Sequence, residues 1–545
     1  MTVPLRVQDG PPAAPATGGV PLRAPLLALA GALAREGAPD RARLLLDHLA
    51  LLDPADRDVL RALAEAALAA GDPLAALRHL RALQLAGEEF AAHASLAQAA
   101  HSAAVAAYNA LRAGGAVADC AAVADALTET FPGDVAAAAA AMECRQALGD
   151  AATAAARARR VLALQPLHPG ANALLADQAA AAGDARGEAA ARARLLLDPA
   201  GPAHPVARLH DLHAAISRLL LDPLEEADWP LLSALAGAAA QVDPSIPLPE
   251  ALRPWAAHYQ ALCIAADPAL LTGDTAPAAP HLVGGDGRPW QPAPLPPGPV
   301  FLAAADARYL RLYGRLFLRS VLRHADLPCT VVLHAIGGAG RLAELQAMVG
   351  IEDPRLLWSA DGFDPGAVTT LCQDADGPAR LPLAHFQCAR FVVAEQLLHA
   401  LGRPLLVADI DSLLQRGVAD LLARHAGDDV VLNRNDGSPQ FGSRFTANLL
   451  LAQPTEGGRR FLALLRRHLQ AALAAPEVTR WVDQCGLQMA WQAALRQAPG
   501  TRFGWFDTAR DINNVMYRSW QPNPFRFLSL FHGFDLASLP AGIRD

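Results

Sequence analysis

The sequence contains no lysine, so all 46 of its basic residues are arginine. Schiff-base chemistry and a phosphate-binding lysine loop are therefore excluded, and a basic side chain that contacts a diphosphate must be arginine or histidine. The 54 acidic residues leave a net charge of -8. Since no basic run supplies phosphate contacts, a nucleic-acid partner is not expected.

Long apolar runs and paired cysteines are also missing. No stretch reaches the roughly 18 apolar residues that a membrane-spanning helix needs. The first 20 residues contain Pro, Gly and Asp where a signal peptide would have an apolar core. The seven cysteines are scattered without a Cys-x-x-Cys pair, which is typical of reduced thiols. These features predict a cytoplasmic protein with no transmembrane segment.

A chain of 545 residues is too long for one ordinary core, so two or more domains are expected. After a disordered terminus, 1–23, the sequence becomes rich in alanine and leucine and repetitive. One series has spacings of 34, 43, 35 and 34 residues and consists of Gly37, Gly71, Gly114, Gly149 and Gly183. A second series has spacings of 34 and 33 residues and consists of Pro132, Pro166 and Pro199.

In each repeat a glycine breaks one helix and a proline ends the next. The shared period predicts a tetratricopeptide-like helical solenoid over residues 24–271. The alternative is an irregular alanine-rich bundle, because alanine satisfies many loose patterns. Residues 272–298 are rich in glycine and proline, which indicates a linker.

Strand-like apolar runs begin only after this linker: Val300–Ala305, Thr330–His334, Pro404–Ala408 and Asp429–Leu432. Amphipathic helices separate them. This alternation predicts one α/β domain over residues 299–545, built on a mostly parallel, mixed sheet. Ligands of such sheets bind beyond the carboxyl ends of the strands.

Two carboxylates follow the third of these strands. Asp409 and Asp411 are two residues apart, so an extended backbone would project both side chains to the same side. Oxygen ligands suit a hard divalent cation, and a diphosphate can bind through that cation. Two solvated strand-end acids are the alternative, because Asp-x-Asp is a weak motif on its own.

Four segments of the carboxyl-terminal half resemble, in order, metal-dependent glycosyltransferases of the A-type fold, particularly glycogenin-like and related bacterial enzymes. They are Phe301–Tyr309; Ala389–Phe391 with the Asp409–Asp411 strand; Phe445–Leu451; and Trp481–Gln484 with Phe531–Gly533. The resemblance covers about residues 299–545. It implies transfer of a sugar from a nucleotide-sugar donor, with Mn²⁺ or Mg²⁺ as cofactor.

On the donor side, the resemblance implies that Asp306 and Tyr309 contact the nucleotide and that Arg390 covers the diphosphate. Asp306 could equally be the N-cap of the helix that begins at the next residue. Arg390 could equally form a surface ion pair with Glu395. Asp409 and Asp411 are the implied metal ligands, and Asp409 also belongs to the donor site.

The resemblance further implies His532 as a third metal ligand, since manganese accepts imidazole as well as oxygen. Asp483 and Gln484 open a helix and are implied in catalysis, either in acceptor binding or in stabilising the positive charge of the sugar. An Asp is favoured at a helix start in any case. The chain departs from the family where relatives often carry Asn-x-Gly, since Thr446–Asn448 stands there.

The implied arrangement is a catalytic domain whose acceptor, a protein or a cell-envelope saccharide precursor, is recruited by the helical repeats. A non-catalytic tetratricopeptide scaffold with a degenerate transferase-like domain is the alternative. A sugar-phosphate nucleotidyltransferase is a third interpretation, suggested by the glycine-rich segment Gly337–Leu342. That segment follows the second strand of the domain instead of the first, and the chain lacks the lysines that assist this chemistry.

Overall fold

In the computed structural model, the described parts of the chain are residues 22–87, 93–197, 205–226, 228–240, 280–290, 296–368, 371–374, 377–379, 383–438, 442–475, 477–479, 481–514, 517–530 and 533–544. The chain divides into two compact units, Met1–Gly183 and Asp184–Asp545. The predicted disordered terminus lies outside the described residues as far as residue 21, and so do residues 241–279 of the predicted solenoid and linker.

The described part of the first unit consists of helices joined by short turns. Their bounds are α1 Arg23–Arg35, α2 Pro39–Leu52, α3 Arg57–Ala69, α4 Pro73–Leu85, α5 Ala94–Ala113, α6 Val117–Thr130, α7 Val135–Ala147, α8 Ala151–Leu164 and α9 Pro169–Ala182. Sequential helices pack against each other, as α3 does on α4 and α7 on α8. Buried alanines at these contacts let the helices approach closely.

Glycine and aspartate set the turns, as the repeat pattern predicts. Gly71 and Gly149 adopt φ values of 74° and 74°, a left-handed conformation that costs glycine little. The aspartate after each glycine then caps the next helix: Asp72 accepts from Ala75 N at 3.0 Å and Asp150 from Thr153 N at 3.1 Å. The prediction of a helical repeat region followed by an α/β domain is confirmed.

The second unit begins with three helices, α10 Ala185–Leu196, α11 Pro205–Leu219 and α12 Asp228–Ala240. Its further helices are α13 Arg315–His324, α14 Leu342–Val349, α15 Leu383–Leu401, α16 Ala419–Arg424, α17 Glu456–Leu473, α18 Val482–Gln497 and α19 Ala541–Arg544. Shorter turns lie at Ala307–Tyr309, Leu310–Gly314 (a π turn), Pro365–Ala367 and Leu536–Ser538.

The strands of the second unit are β1 Val283–Gly284, β2 Val300–Ala305, β3 Thr330–Ala335, β4 Leu356–Ala360, β5 Leu371–Asp374, β6 Gly377–Ala379, β7 Leu405–Ala408, β8 Ser412–Leu414, β9 Val430–Arg434, β10 Phe445–Ala452, β11 Glu477–Thr479, β12 Phe503–Trp505 and β13 Phe527–Ser529. Eight of them form the main sheet in the order β1-β4-β3-β2-β7-β10-β9-β12. Only β1 and β10 run antiparallel to the others of this sheet.

Both faces of this sheet are covered. Helices α15, α17 and α18 pack on one face, while α13 and α14 contribute to the core on the other. Strands β2, β3 and β7 are buried along their whole length, which explains why they read as continuous apolar runs. The carboxyl ends of β2, β7 and β9 therefore meet at one edge.

Helices α10–α12 pack on α18, and this attachment is polar as well as apolar. The side-chain amides of Gln488 and Gln492 donate to the carbonyls of Leu220 (3.0 Å) and Asp222 (2.9 Å). Cys485 and Met489 join the apolar core of the three helices. The sequence analysis assigned these helices to the repeat array, whereas the boundary between the compact units lies at Gly183.

The predicted linker also contains ordered structure where it is described. Val283 and Gly284 form β1, which pairs with β4, and the glycines after it make a tight turn. Leu282 and Val283 are buried, so composition alone misrepresents this stretch as linker. No helix within the described ranges is long and apolar enough to cross a membrane.

This packing predicts where the chain can be cut. A protein comprising residues 184–545 should unfold cooperatively. One comprising 299–545 should not, because the buried amides of Gln488 and Gln492 would lose their partners at about 1–3 kcal/mol each. Near-ultraviolet circular dichroism during heating measures this difference. Equally cooperative unfolding of both proteins would contradict it.

Candidate functional site

The candidate site lies at the carboxyl end of β7. Asp409 follows the strand directly, and its backbone N–H donates to the carbonyl of Asn448 on β10 at 3.3 Å. Ile410 is buried in the core, and Asp411 leads into β8 while its carbonyl accepts from Leu530 N at 2.8 Å. These three residues form a turn and not an extended strand. The backbone is therefore fixed on both sides of the two carboxylates.

The two carboxylates affect each other electrostatically. Burial, and then the negative charge of Asp409, raise the pKa of Asp411 to about 8, although Arg390 opposes this shift. Two neighbouring carboxylates, one of them in contact with the Arg390 guanidinium, fit a hard divalent cation both in charge and in ligand type. No cluster of three or more His, Cys, Asp or Glu side chains forms a metal site among the described residues. His532, the predicted third ligand, lies outside the described residues.

Arg390 joins three parts of the domain. It lies on α15 with a side chain that is only 5% exposed. Its Nη1 is 3.0 Å from Asp409 Oδ1, and its Nη2 is 3.4 Å from Asp483 Oδ2 and donates to the carbonyl of Ala447 at 3.1 Å. The alternative ion pair with Glu395 is not formed, because Glu395 pairs with Arg466.

Asp483 and Gln484, the predicted pair at the start of α18, make different contacts. Asp483 faces Arg390 and is as buried as its partner. Burial raises the pKa of Asp483 to about 6, against the effect of Arg390 and with that of Asp409. The Gln484 amide, in the orientation that satisfies both groups, donates to the carbonyls of Gly442 (2.7 Å) and Phe445 (3.2 Å). Gln484 therefore holds the β9–β10 hairpin against the start of α18.

Asp306 and Tyr309 lie beyond the carboxyl end of β2. Asp306 Oδ1 accepts from Tyr309 N at 2.8 Å, which is the N-cap arrangement. Tyr309 is 38% exposed and its ring centroid is 5.5 Å from that of Tyr313. Burial, followed by the charge of Asp411, raises the pKa of both phenols. A half-exposed aromatic pair thus borders Asp411, and such a surface can stack on a flat or ring-shaped ligand.

Sequence reasoning missed an amide cluster beside Asp409. Asn433 Nδ2 donates to Asn448 Oδ1 at 2.8 Å and to Asn514 Oδ1 at 3.0 Å. Asn433 is 1% exposed, and its Oδ1 is buried without a hydrogen-bond partner in the described structure. The three residues come from β9, from β10 and from the segment after β12, and they meet only in the folded domain. The sole signal available was Asn448, at the departure from the family pattern.

The raised pKa of Asp411 predicts a pH-dependent stability of the metal-free protein. An unfolded aspartate titrates near about 3.9, so the native state favours the protonated form between about pH 4 and pH 8. The stabilisation from this proton is complete below pH 4 and is lost as the pH rises through 8. We expect Asp411→Asn to raise the melting temperature at pH 8 by roughly 2–4 °C for each kcal/mol by which it raises the free energy of unfolding, with little gain at pH 4. Calorimetry in the presence of a chelator measures the melting temperatures of the natural protein and the variant. Equal melting temperatures of the two proteins at pH 8 would contradict the raised pKa of Asp411.

Arg390 predicts a coupled stability effect. Arg390→Met should cost about 3–5 kcal/mol, because it leaves buried Asp483 without its counter-charge. Asp483→Asn in the same protein should recover part of this loss. Urea unfolding measures both. Arg510→Gln, at an exposed arginine, is the control and should change stability by less than about 0.5 kcal/mol. Independent, additive effects of the Arg390 and Asp483 substitutions would refute the coupling.

Known structures with some similarity fall into two groups. The apo structure of the bifunctional glycosyltransferase WbbM is 15% identical over 41% of this chain and 40% of its own, with a TM-score of 0.27. Mouse xyloside xylosyltransferase 1 is 10% identical over 43% of this chain and 98% of its own, with a TM-score of 0.27. The matched region thus spans less than half the length of WbbM.

The second group consists of helical proteins. TTC0263, a tetratricopeptide protein of Thermus thermophilus, is 20% identical over 39% of this chain and 97% of its own, with a TM-score of 0.14. The type IV pilus biogenesis factor PilW is 17% identical over 45% and 94%, with a TM-score of 0.15. No protein-family model and no curated protein matches the chain. At these TM-scores the neighbours carry no argument, and the fold assignment rests on the helix packing and strand order described above.

Proposed function

We propose that the chain is a glycosyltransferase that moves a sugar from a nucleotide-sugar donor to an acceptor recruited by the helical repeats. The observation that carries this proposal is the pair of carboxylates, Asp409 and Asp411, at the carboxyl end of β7, of which Asp409 is linked through Arg390 to Asp483. This is the edge of an α/β sheet at which ligands bind.

Asp409 and Asp411 would hold Mn²⁺ or Mg²⁺. The bound cation supplies a positive charge that neutralises the leaving diphosphate. Asp411 gives up its proton when the cation binds, so cation affinity should rise with pH up to about 8. Arg390 keeps the Asp409 carboxylate oriented and leaves the Asp411 carboxylate available for ligands.

The remaining residues have supporting roles in this proposal. The rings of Tyr309 and Tyr313 offer a stacking surface next to Asp411 for the base or the sugar of the donor. Asp483, ionised above about pH 6 and held by Arg390, places negative charge where positive charge develops on the sugar. Gln484 acts indirectly, because its amide is engaged with the hairpin.

A non-catalytic scaffold is the second candidate function. It is favoured by one observation, that the described residues offer two and not three acidic or imidazole ligands close together. In that case the helical repeats would bind a partner and the α/β domain would bind no donor. The acceptor, whether protein or cell-envelope saccharide, and the cytoplasmic location stay predictions of the sequence.

Nucleotide-sugar hydrolysis tests the proposal. We expect the protein to hydrolyse at least one nucleotide-sugar of a panel when manganese is present. Asp409→Asn and Asp411→Asn should each reduce this rate at least about 100-fold, since the cation contributes several kcal/mol.

Asp286→Asn, at an exposed acid in the turn after β1, is the matched control and should leave the rate unchanged. A protein that neither binds nor hydrolyses any nucleotide-sugar would support the scaffold. Undiminished hydrolysis in both site variants would show that these carboxylates hold no catalytic cation.

A further inference from the structure

The β9–β10 hairpin carries two arginines at the same edge of the sheet as Asp409. Arg434 is the last residue of β9, and Arg444 directly precedes β10. Asn435 N donates to the Arg444 carbonyl at 2.7 Å, so the hairpin is paired up to these residues. Since β9 and β7 both run antiparallel to β10, the carboxyl ends of β7 and β9 point the same way.

Arg434 is already paired. Its guanidinium carbon lies 4.3 Å from the ring centroid of Trp505, and its Nη2 donates to Asp436 Oδ2 at 3.0 Å. The stacking and the ion pair fix this side chain. Arg434 therefore contributes a constant positive charge beside its neighbour on the hairpin.

Arg444 forms no ion pair among the described residues, and both its Nε and its Nη1 are buried without a hydrogen-bond partner. Burial, and then the positive charge of Arg434, lower the pKa of Arg444, while Asp436 and Asp222 act in the opposite direction. Arg444 is half-buried overall. Two buried guanidinium N–H groups without partners are costly, and the cost is removed when an anion accepts from them. Neither nearby carboxylate forms that contact.

The position of Arg444 relates it to the candidate site. Gln484 binds the hairpin on both sides of Arg444, at the carbonyls of Gly442 and Phe445, and Gln484 follows Asp483 on α18. In the other direction, Asn448 lies four residues along the chain and its carbonyl accepts from Asp409 N. This span of β10 contains a bulge between Thr446 and Leu450, and Arg444 and Asp409 lie at its two ends.

We propose that Arg444, beside Arg434, binds an anionic group, a phosphate or a carboxylate, on the sugar acceptor. This inference rests on the proposed glycosyl transfer. The planar guanidinium fork of Arg444 suits two oxygens of such a group. The donor diphosphate is assigned to the carboxylate-held cation at the other end of this span. The acceptor thus belongs to the acidic or phosphorylated saccharides or peptides.

Thermal unfolding of the full chain without divalent cations tests this subsite, with inorganic phosphate and glucuronate as probes. We expect a saturable rise in melting temperature with at least one probe. Arg444→Gln should abolish this rise and should not lower the melting temperature in anion-free buffer. Arg510→Gln, at an exposed arginine, is the matched control and should respond like the natural protein.

A response to phosphate alone indicates a phosphorylated acceptor, and one to glucuronate alone an acidic saccharide. No response to either, or an equal response in Arg444→Gln, overturns the proposal. Arg444→Lys keeps the charge without the fork and should weaken binding roughly tenfold. Unchanged affinity in that variant also overturns it.

Asp411→Asn should keep the anion response, because that residue belongs to the other end of the site. If the natural protein hydrolyses no nucleotide-sugar but shows the anion response, glycosyl transfer is contradicted and the anion subsite stands. If it hydrolyses a nucleotide-sugar but shows no anion response, the anion subsite is contradicted and glycosyl transfer stands.

Discussion

The candidate site depends on one buried guanidinium. Arg390 contacts Asp409 after β7, Asp483 on α18 and the carbonyl of Ala447 on β10, so a single side chain fixes three elements relative to one another. Removing charges from water is expensive. The arrangement is stable only because Asp409, Asp483 and the Ala447 carbonyl all contact the same guanidinium. Asp411 stands outside these contacts, and the pKa of its carboxyl is raised to about 8. In the proposed function, this arrangement is preorganised to take up a divalent metal ion.

The same logic extends outward to helices α10–α12. They pack on α18, whose first turn carries Asp483, and the carbonyls of Leu220 and Asp222 accept hydrogen bonds from the side-chain amides of Gln488 and Gln492. Helices that a sequence pattern groups with the repeats therefore hold the helix that carries Asp483 in place. The hairpin of β9 and β10 is held from the other side by Gln484. In the proposed function, an acceptor would lie against the surface formed by α18 and the β9–β10 hairpin.

Much of this fold could be predicted from the sequence. Glycine turns at a regular period and fully buried strands such as Val300–Ala305 leave local signals. The strand before Asp409 leaves one too, although Asp409 to Asp411 form a turn where the sequence predicts an extended backbone. The rest depends on contacts between distant residues. Arg390 and Asp483 are 93 residues apart, and no local pattern specifies that they meet. Likewise, the sequence of an amphipathic helix shows that one of its faces packs on another element, but not on which element. The assignment of Asp306 as an N-cap also required the backbone geometry.

The central claim is that Asp409 and Asp411 hold a divalent cation that carries the donor diphosphate. A crystal structure with manganese and a nucleoside diphosphate tests it most directly, because the anomalous signal locates the metal. The account predicts manganese within about 2.3 Å of a carboxylate oxygen of each aspartate, bridged to both phosphates. Manganese at any other place, or a nucleotide bound while the two carboxylates contact no metal, would contradict it.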